Sequence, residues 1–338
     1  MADDDALMDR FEQNSRRFNA RDAIITVFVC AFVLVLINGN SMKNAGERLE
    51  PGVQRTAILA VAKPAGWLAD QLPFHDVAHD LTAGLSPDEE LSKKGGFDQA
   101  PAAGAANQVP LVTPAAFDPA AIGAKPAAKL PLKKLLVTGD SLSDPLDKVM
   151  ARDLASAGVD VDRKPVLGSG ISKTDLVEWG RLSATQKENI DPDAVIMFMG
   201  ANEGFPMKNA AGKDVECCGA DWAAIYANRV RQMMNTYRAG GKTHIYWVKL
   251  PTQRQAARQK IAKVVNAAIE VAAQPYRNQV TVFDTLPTFT PGDKYRDAMD
   301  IDGKKTIVRR EDGIHLNDEG ADLLGELLIK QLQQHFDF

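Results

Sequence analysis

From Lys133 to the C-terminus, short apolar runs alternate with stretches of helical spacing. Residues 135–138 (Leu-Leu-Val-Thr) read as a buried strand, followed by a helix over 145–157. A second strand is predicted over 161–166 and a strongly apolar third over 194–199. Helical spacing then runs over 222–238, a strand over 244–248, and an amphipathic helix over 256–273. That helix gathers Ile261, Val264, Val265, Ala268 and Ile269 on one side. Residues 280–283 read as the last core strand and 321–334 as a closing helix. Strands that are apolar throughout, alternating with helices, predict an α/β domain whose parallel sheet is covered on both faces. In such open sheets ligands bind beyond the carboxyl ends of the strands, so the residues just after each strand are the ones to inspect.

Ahead of this domain the pattern changes twice. No charged residue occurs from Ala23 to Ser41, and the strongly apolar core runs over 23–37. With residues 38–42 the uncharged stretch reaches about twenty residues, enough for a bilayer core of roughly 30 Å. Arg10, Arg16, Arg17 and Arg21 precede it, while Lys43 and Arg48 follow among acids. These features predict a single-pass transmembrane anchor over 23–42, a cytoplasmic leader over 1–22, and everything later outside the cytoplasm. A cleaved signal peptide and a buried core helix are the rival readings. The long acidic leader (Asp3, Asp4, Asp5, Asp9, Glu12) and the lack of a clean small-x-small site speak against cleavage.

Residues 43–84 read as a helical stalk or docking segment. Val61, Trp67, Leu68, Leu72, Phe74, Val77 and Leu81 supply an apolar face, interrupted by Pro64 and Pro73. His75 and His79 stand at i, i+4 spacing with no third ligand evident. Residues 85–131, rich in Ala and Pro, read as a semi-extended linker, and 132–338 as the folded domain.

Composition narrows the function classes. The 338 residues carry a formal net charge of −4 with no basic block or stripe, which argues against nucleic acid. Three cysteines without a CxxC pair and five scattered histidines predict no metal centre. Cys217 and Cys218 are adjacent. They either bridge in an oxidising compartment or remain two free thiols.

Four short motifs follow predicted strands or precede the closing helix. Gly139-Asp140-Ser141-Leu142-Ser143-Asp144 places a serine at a strand-to-helix junction, where free backbone N–H groups face an anion. Alone, it also reads as a helix cap. Leu167-Gly168-Ser169-Gly170-Ile171-Ser172 allows close backbone approach, or is a plain turn. Gly200-Ala201-Asn202-Glu203-Gly204 offers an asparagine amide at a strand end, or a turn asparagine. Glu311-Asp312-Gly313-Ile314-His315-Leu316 sets a carboxylate three residues from an imidazole. That pair either orients a catalytic base or caps the following helix.

Taken in order, the four resemble the sequence blocks of the SGNH (GDSL-like) serine hydrolases. Gly139-Asp140-Ser141-Leu142-Ser143 is similar to the first block and Gly168-Ser169-Gly170 to the second. Gly200-Ala201-Asn202-Glu203 is similar to the third, with Glu203 in place of the usual aspartate, and Asp312-Gly313-Ile314-His315 to the fifth. The resemblance covers roughly 132–334. It implies a three-layer α/β/α sandwich with a mainly parallel, flavodoxin-like five-stranded sheet. It implies Ser141 as nucleophile, His315 as base and Asp312 as its orienting carboxylate. The oxyanion hole would comprise the N–H groups of Ser141 and Gly170 and the Asn202 side chain; the second block registers on Gly168 or Gly170, with Gly170 preferred. No cofactor is required. The serine lies in Gly-Asp-Ser-Leu near the domain start rather than in Gly-x-Ser-x-Gly, which argues against an α/β-hydrolase.

Asp302-Gly303 reads as a hairpin turn that brings Arg309 and Arg310 beside the Asp312–His315 loop. The two arginines either bind an anionic group of a glycan or acyl chain or are solvated. Asp140, Glu203 and Arg310 are the candidate substrate contacts. Trp179 and Trp222 read as core residues before sugar-stacking ones.

The expected function is an esterase that removes O-acyl groups from an envelope carbohydrate, with its domain in the periplasm of a bacterium and its anchor in the inner membrane. An O-acyltransferase uses the same acyl-serine intermediate, and anchored relatives often work beside a multi-spanning membrane acyltransferase. A non-catalytic anchored binding or assembly protein, docking through residues 51–84, is the reading from another class.

Overall fold

The computed structural model describes residues 20–37, 39–47, 49, 52–70, 112–125 and 127–338. The chain divides into two compact units, residues 1–108 and 109–338.

The first unit contains helices α1 (Ala20–Ile37), α2 (Gly39–Glu47) and α3 (Val53–Asp70), the last with Pro64 inside it. The segment expected as an anchor over 23–42 includes residue 38, which lies outside the described residues. Helix α1 ends at Ile37, a second helix starts at Gly39, and among the described residues no helix is long and apolar enough to cross a membrane. Helix α1 nevertheless exposes large apolar side chains, among them Ile24, Val27, Phe28 and Phe32. The predicted apolar positions Leu72, Phe74, Val77 and Leu81, the histidines His75 and His79, and most of the 85–131 linker lie outside the described residues.

The second unit holds a five-stranded parallel sheet. Its strands are β2 (Lys134–Gly139), β3 (Asp160–Pro165), β4 (Ala194–Phe198), β7 (His244–Val248) and β8 (Val280–Phe283), in the order β3-β2-β4-β7-β8. Counting only these five, the order is 2-1-3-4-5, the doubly wound flavodoxin-like arrangement. Leu135 pairs with Val161 on one side and Ala194 on the other; Ala194 pairs with His244, and Ile245 with Val280. Every residue of β4 is buried, so the sheet is covered on both faces.

The helices pack in two sets. Helix α4 (Ser143–Leu154) lies against α9 (Asp318–His335), while α6 (Ala220–Tyr237) contacts both α5 (Trp179–Ile190) and α7 (Ala256–Ala273). The small pairs are β1 (Leu130–Pro131) with β11 (Phe336–Asp337), β5 (Met207–Lys208) with β6 (Asp214–Val215), and β9 (Ala298–Ile301) with β10 (Lys304–Ile307). A short helix, α8 (Leu286–Phe289), follows β8.

The predicted hairpin turn is present: Asp302 and Gly303 have φ of 53° and 77° and separate β9 from β10. Cys217 and Cys218 are joined by a disulfide. Trp179 and Trp222 are core residues, their indole N–H groups donating to Ser169 Oγ and the Phe205 carbonyl.

At the carboxyl end of β2, Gly139 has φ +144°, and a Cβ there would lie 2.0 Å from the Phe198 carbonyl oxygen. This close approach lets the chain leave the sheet beside β4 and turn into the first motif. Gly139→Ala is expected to lower the unfolding free energy by about 3 kcal/mol or more, combining backbone strain with a backbone clash. Urea unfolding checks this; a change below about 1 kcal/mol would contradict the close-approach argument.

Candidate active site

Ser141 lies in the turn between β2 and α4, and His315 in the loop just ahead of α9. The structure brings them together across 174 positions of sequence: Ser141 Oγ is 2.8 Å from His315 Nε2. His315 Nδ1 is 2.7 Å from Asp312 Oδ2. An ionised carboxylate only accepts, so Nδ1 carries the hydrogen and Nε2 is left to accept from the serine hydroxyl. That is the polarity a serine nucleophile needs. Asp312 Oδ1 also accepts from the N–H groups of Ile314 at 2.7 Å and His315 at 3.0 Å. Burial pushes the Asp312 carboxyl up, but these two amides and the His315 ring outweigh it and hold it below its ordinary value.

The other two motifs meet at the same place. Asn202 Nδ2 donates to the Ser169 carbonyl at 3.0 Å, which uses one of its two amide hydrogens. Gly170 is packed so tightly that an added Cβ would be 3.0 Å from the Asn202 carbonyl oxygen and 3.2 Å from Glu203 Oε1. Gly168 has open space at the same test. The two glycines thus differ: Gly170 abuts the Asn202 turn, and Gly168 serves its own turn. Among the described residues, no protein acceptor meets the backbone N–H of Ser141 or Gly170.

Asp140 and Glu203, expected as substrate contacts, are corrected by their burial. Asp140 is 0% exposed. Its Oδ1 accepts from the Leu142 N–H at 2.9 Å, and its Oδ2 from the N–H groups of Gly200 and Ala201, both at 2.8 Å. It therefore ties the first motif to the third. Glu203 is 2% exposed and ties the third motif to the second. It accepts from the Ile171 and Ser172 N–H groups, the Ser172 hydroxyl and the Tyr226 hydroxyl. Burial raises the Glu203 carboxyl despite these four donors, and raises the Tyr226 hydroxyl, which also faces Glu203.

Arg309 is likewise buried, at 3% exposure, and donates to backbone carbonyls rather than facing a ligand; Arg310 is exposed. Burial lowers the Arg309 guanidinium to about 10. Sequence reasoning missed this supporting layer: Ser172, Tyr226, Arg254, Arg258 and Arg229, which donates to the Ile171 carbonyl. These contacts join residues far apart in the chain, so no local pattern signals them.

Two cavities bear on where a ligand sits. One of about 860 Å³ lies under the amino ends of β7 and β8, lined by His244, Thr281 and His335, and none of the four motifs contributes to it. The other, of about 10 Å³, is lined by Leu142, Gly200, Ala201 and Ile314, each within two residues of Ser141, Asn202 or His315. It has room for about one water molecule. The smaller one adjoins the motif residues. Among the described residues, no cluster of three or more His, Cys, Asp or Glu side chains could hold a metal.

Residues 134–331 match the family DUF459, described as "Protein of unknown function". This chain is a member of the DUF459 family. Among curated proteins none matches it. Solved structures to which the chain is similar include BT4096, a gut microbial diltiazem-metabolizing enzyme, at 10% identity, 62% coverage of this chain, 48% of that one, and a TM-score of 0.39. This DUF459 chain thus spans about half the length of that enzyme. Another is the C-terminal catalytic domain of the peptidoglycan O-acetyltransferase OatA from Streptococcus pneumoniae, at 14% identity, 62% and 96% coverage, and a TM-score of 0.38. A third is the salicylyl-acyltransferase SsfX3 from a tetracycline biosynthetic pathway, at 13% identity, 62% and 56% coverage, and a TM-score of 0.36.

Asp140 generates a pH prediction. Burial raises its carboxyl from 3.8 to about 6, against the lowering effect of the Gly200, Leu142 and Ala201 N–H groups, with Glu203 adding to the rise. Its folded-state value exceeds its unfolded one, so the folded state holds the proton more tightly. The contribution to stability is full below about pH 4 and is lost as pH rises through about 6. The difference in unfolding free energy between wild type and Asp140→Asn is therefore expected to move by about 2 kcal/mol between pH 4 and pH 7, with wild type relatively weaker at pH 7. Urea titrations at the two pH values check this, and a constant difference would contradict it.

Proposed function

We propose that this protein is a serine enzyme of the SGNH type that takes an O-acyl group onto Ser141. The observation that carries this reading is the continuous hydrogen-bonded chain from Ser141 Oγ through the His315 ring to Asp312, at 2.8 and 2.7 Å. Ser141 Oγ attacks the acyl carbon while His315 Nε2 takes its proton. Asp312 keeps the ring oriented and balances the imidazolium charge. The negative charge on the carbonyl oxygen is met by the N–H groups of Ser141 and Gly170 and by the free hydrogen of the Asn202 amide. Each such donor contributes about 3 kcal/mol to the transition state. His315 then returns its proton to the departing alcohol, which leaves acyl-Ser141. Water attacking that ester, again with His315 as base, completes hydrolysis, and a sugar hydroxyl in the same place completes transfer.

The substrate class we propose is an O-acylated envelope glycan, processed in the bacterial periplasm. The exposed apolar side chains of α1, with Arg10, Arg16, Arg17 and Arg21 around its start, support attachment there through lipid. Exposed Arg310 is the group we propose for contact with a substrate anion.

The test is hydrolysis of p-nitrophenyl acetate by the full chain beside Ser141→Ala and His315→Ala. Each variant is expected to lower kcat on the order of 10⁴-fold or more while the folded state is retained. Acetate release from an acylated glycan indicates the esterase, and acyl transfer to an added glycan indicates the transferase. Equal rates in wild type and Ser141→Ala would sink the proposal.

A further inference from the structure

Arg309 presents an unusual arrangement for a cation. It lies at the end of the segment after β10, buried, with no carboxylate in hydrogen-bond contact. Its Nη1 donates to the Thr252 carbonyl at 3.1 Å, and its Nη2 to the carbonyls of Gly313 and Ile314, both at 3.0 Å. Its Nε has no partner among the described residues. Its guanidinium carbon stands 5.2 Å from the centre of the Tyr295 ring. Arg254 uses the same ring from 5.1 Å and donates from Nη2 to the Tyr295 hydroxyl at 3.0 Å. Its Nη1 donates to the Glu311 carbonyl at 2.7 Å, and its backbone N–H to the Gly313 carbonyl at 3.2 Å.

Two arginines sharing one tyrosine therefore hold the carbonyls of Glu311, Gly313 and Ile314. Those residues flank Asp312 on both sides and lead directly into His315. The other ends of the clamp rest on Thr252, in the loop that follows β7 (His244–Val248), and on Tyr295. Neither arginine bonds to a triad side chain. A surface loop of this length, with Asp312 and Gly313 in it, has many conformations when free, and only one of them sets His315 Nε2 at 2.8 Å from Ser141 Oγ. A buried guanidinium binding three carbonyls makes charge-assisted bonds in a fixed planar fork, which a lysine cannot reproduce.

We propose that Arg309, with Arg254 and Tyr295 as its supports, is a positioning residue for catalysis. It fixes the Asp312–His315 loop to the loop that follows β7 so that the imidazole is held in line with Ser141. The proposal rests on the acyl-serine reading of the site and assigns the clamp no contact with substrate. Its consequence is a split between kinetic parameters. A misplaced base slows the chemical step and leaves ground-state binding of a small ester alone.

The experiment uses the full chain with p-nitrophenyl acetate, with competent sites counted by fluorophosphonate titration and folding followed by thermal melting. Arg309→Met is expected to lower kcat per competent site roughly 10²-fold with KM within twofold. Arg309→Lys, which keeps the charge and reaches fewer carbonyls, should fall between wild type and Met. Arg254→Met lies at an exposed position and should lower kcat about tenfold at unchanged KM. A kcat within twofold of wild type in folded Arg309→Met overturns the proposal, as does a loss that appears in KM. If Arg309→Met does not fold, Arg254→Met decides alone: a tenfold loss in kcat supports the clamp, and wild-type kcat overturns it. Activity surviving in Ser141→Ala would instead remove the acyl-serine reading, whatever the arginine variants do.

Discussion

The Asp140 carboxylate is the constraint on which the rest of the site depends. It has no exposed surface, and it sits where β2 ends beside β4. Its two oxygens take three backbone N–H groups, one from its own turn and two from the turn after β4. Removing a carboxylate from water is costly unless such donors replace the solvent. Here they are supplied by the turns themselves, so the carboxylate is satisfied only when Ser141 and Asn202 are carried to their places. Burial still wins over the donors and pushes its value up to about 6.

The same device recurs outward from Asp140. Glu203 holds the Gly170 loop through Ile171 and Ser172. Arg229 takes the Ile171 carbonyl, and Arg258 the Ala201 carbonyl at 3.3 Å. Arg309 and Arg254 hold the Asp312–His315 loop. Around the site, buried carboxylates bind backbone N–H groups and arginines bind carbonyls. The loops are thereby pinned by their peptide groups, and the Ser141 and His315 side chains keep their bond to each other.

Much of this was legible in the sequence, for a definite reason. Strands inside the sheet are nearly all apolar, so 135–138, 194–199 and 244–248 announced themselves, 280–283 showed as a short apolar run at the sheet's edge, and Ala256–Ala273 showed its apolar stripe. Ser141, Asn202 and His315 were visible because each sits at a fixed offset from such an element. Helix Trp179–Ile190 was not, because three of its four buried side chains carry polar atoms and only Ile190 is purely aliphatic. Asp140 and Glu203 misled because a carboxylate in a motif suggests a ligand, whereas both are consumed by backbone N–H groups. Arg309 misled likewise: its partner Thr252 is 57 positions away.

The central claim is that Ser141 is a nucleophile activated by His315. Its most direct measurement is mass-spectrometric mapping of the adduct formed by a fluorophosphonate on the folded full chain. The account predicts one adduct per chain, on the peptide containing Ser141, and its loss in His315→Ala. A folded protein that stays unlabelled, or one labelled at another residue, would contradict it.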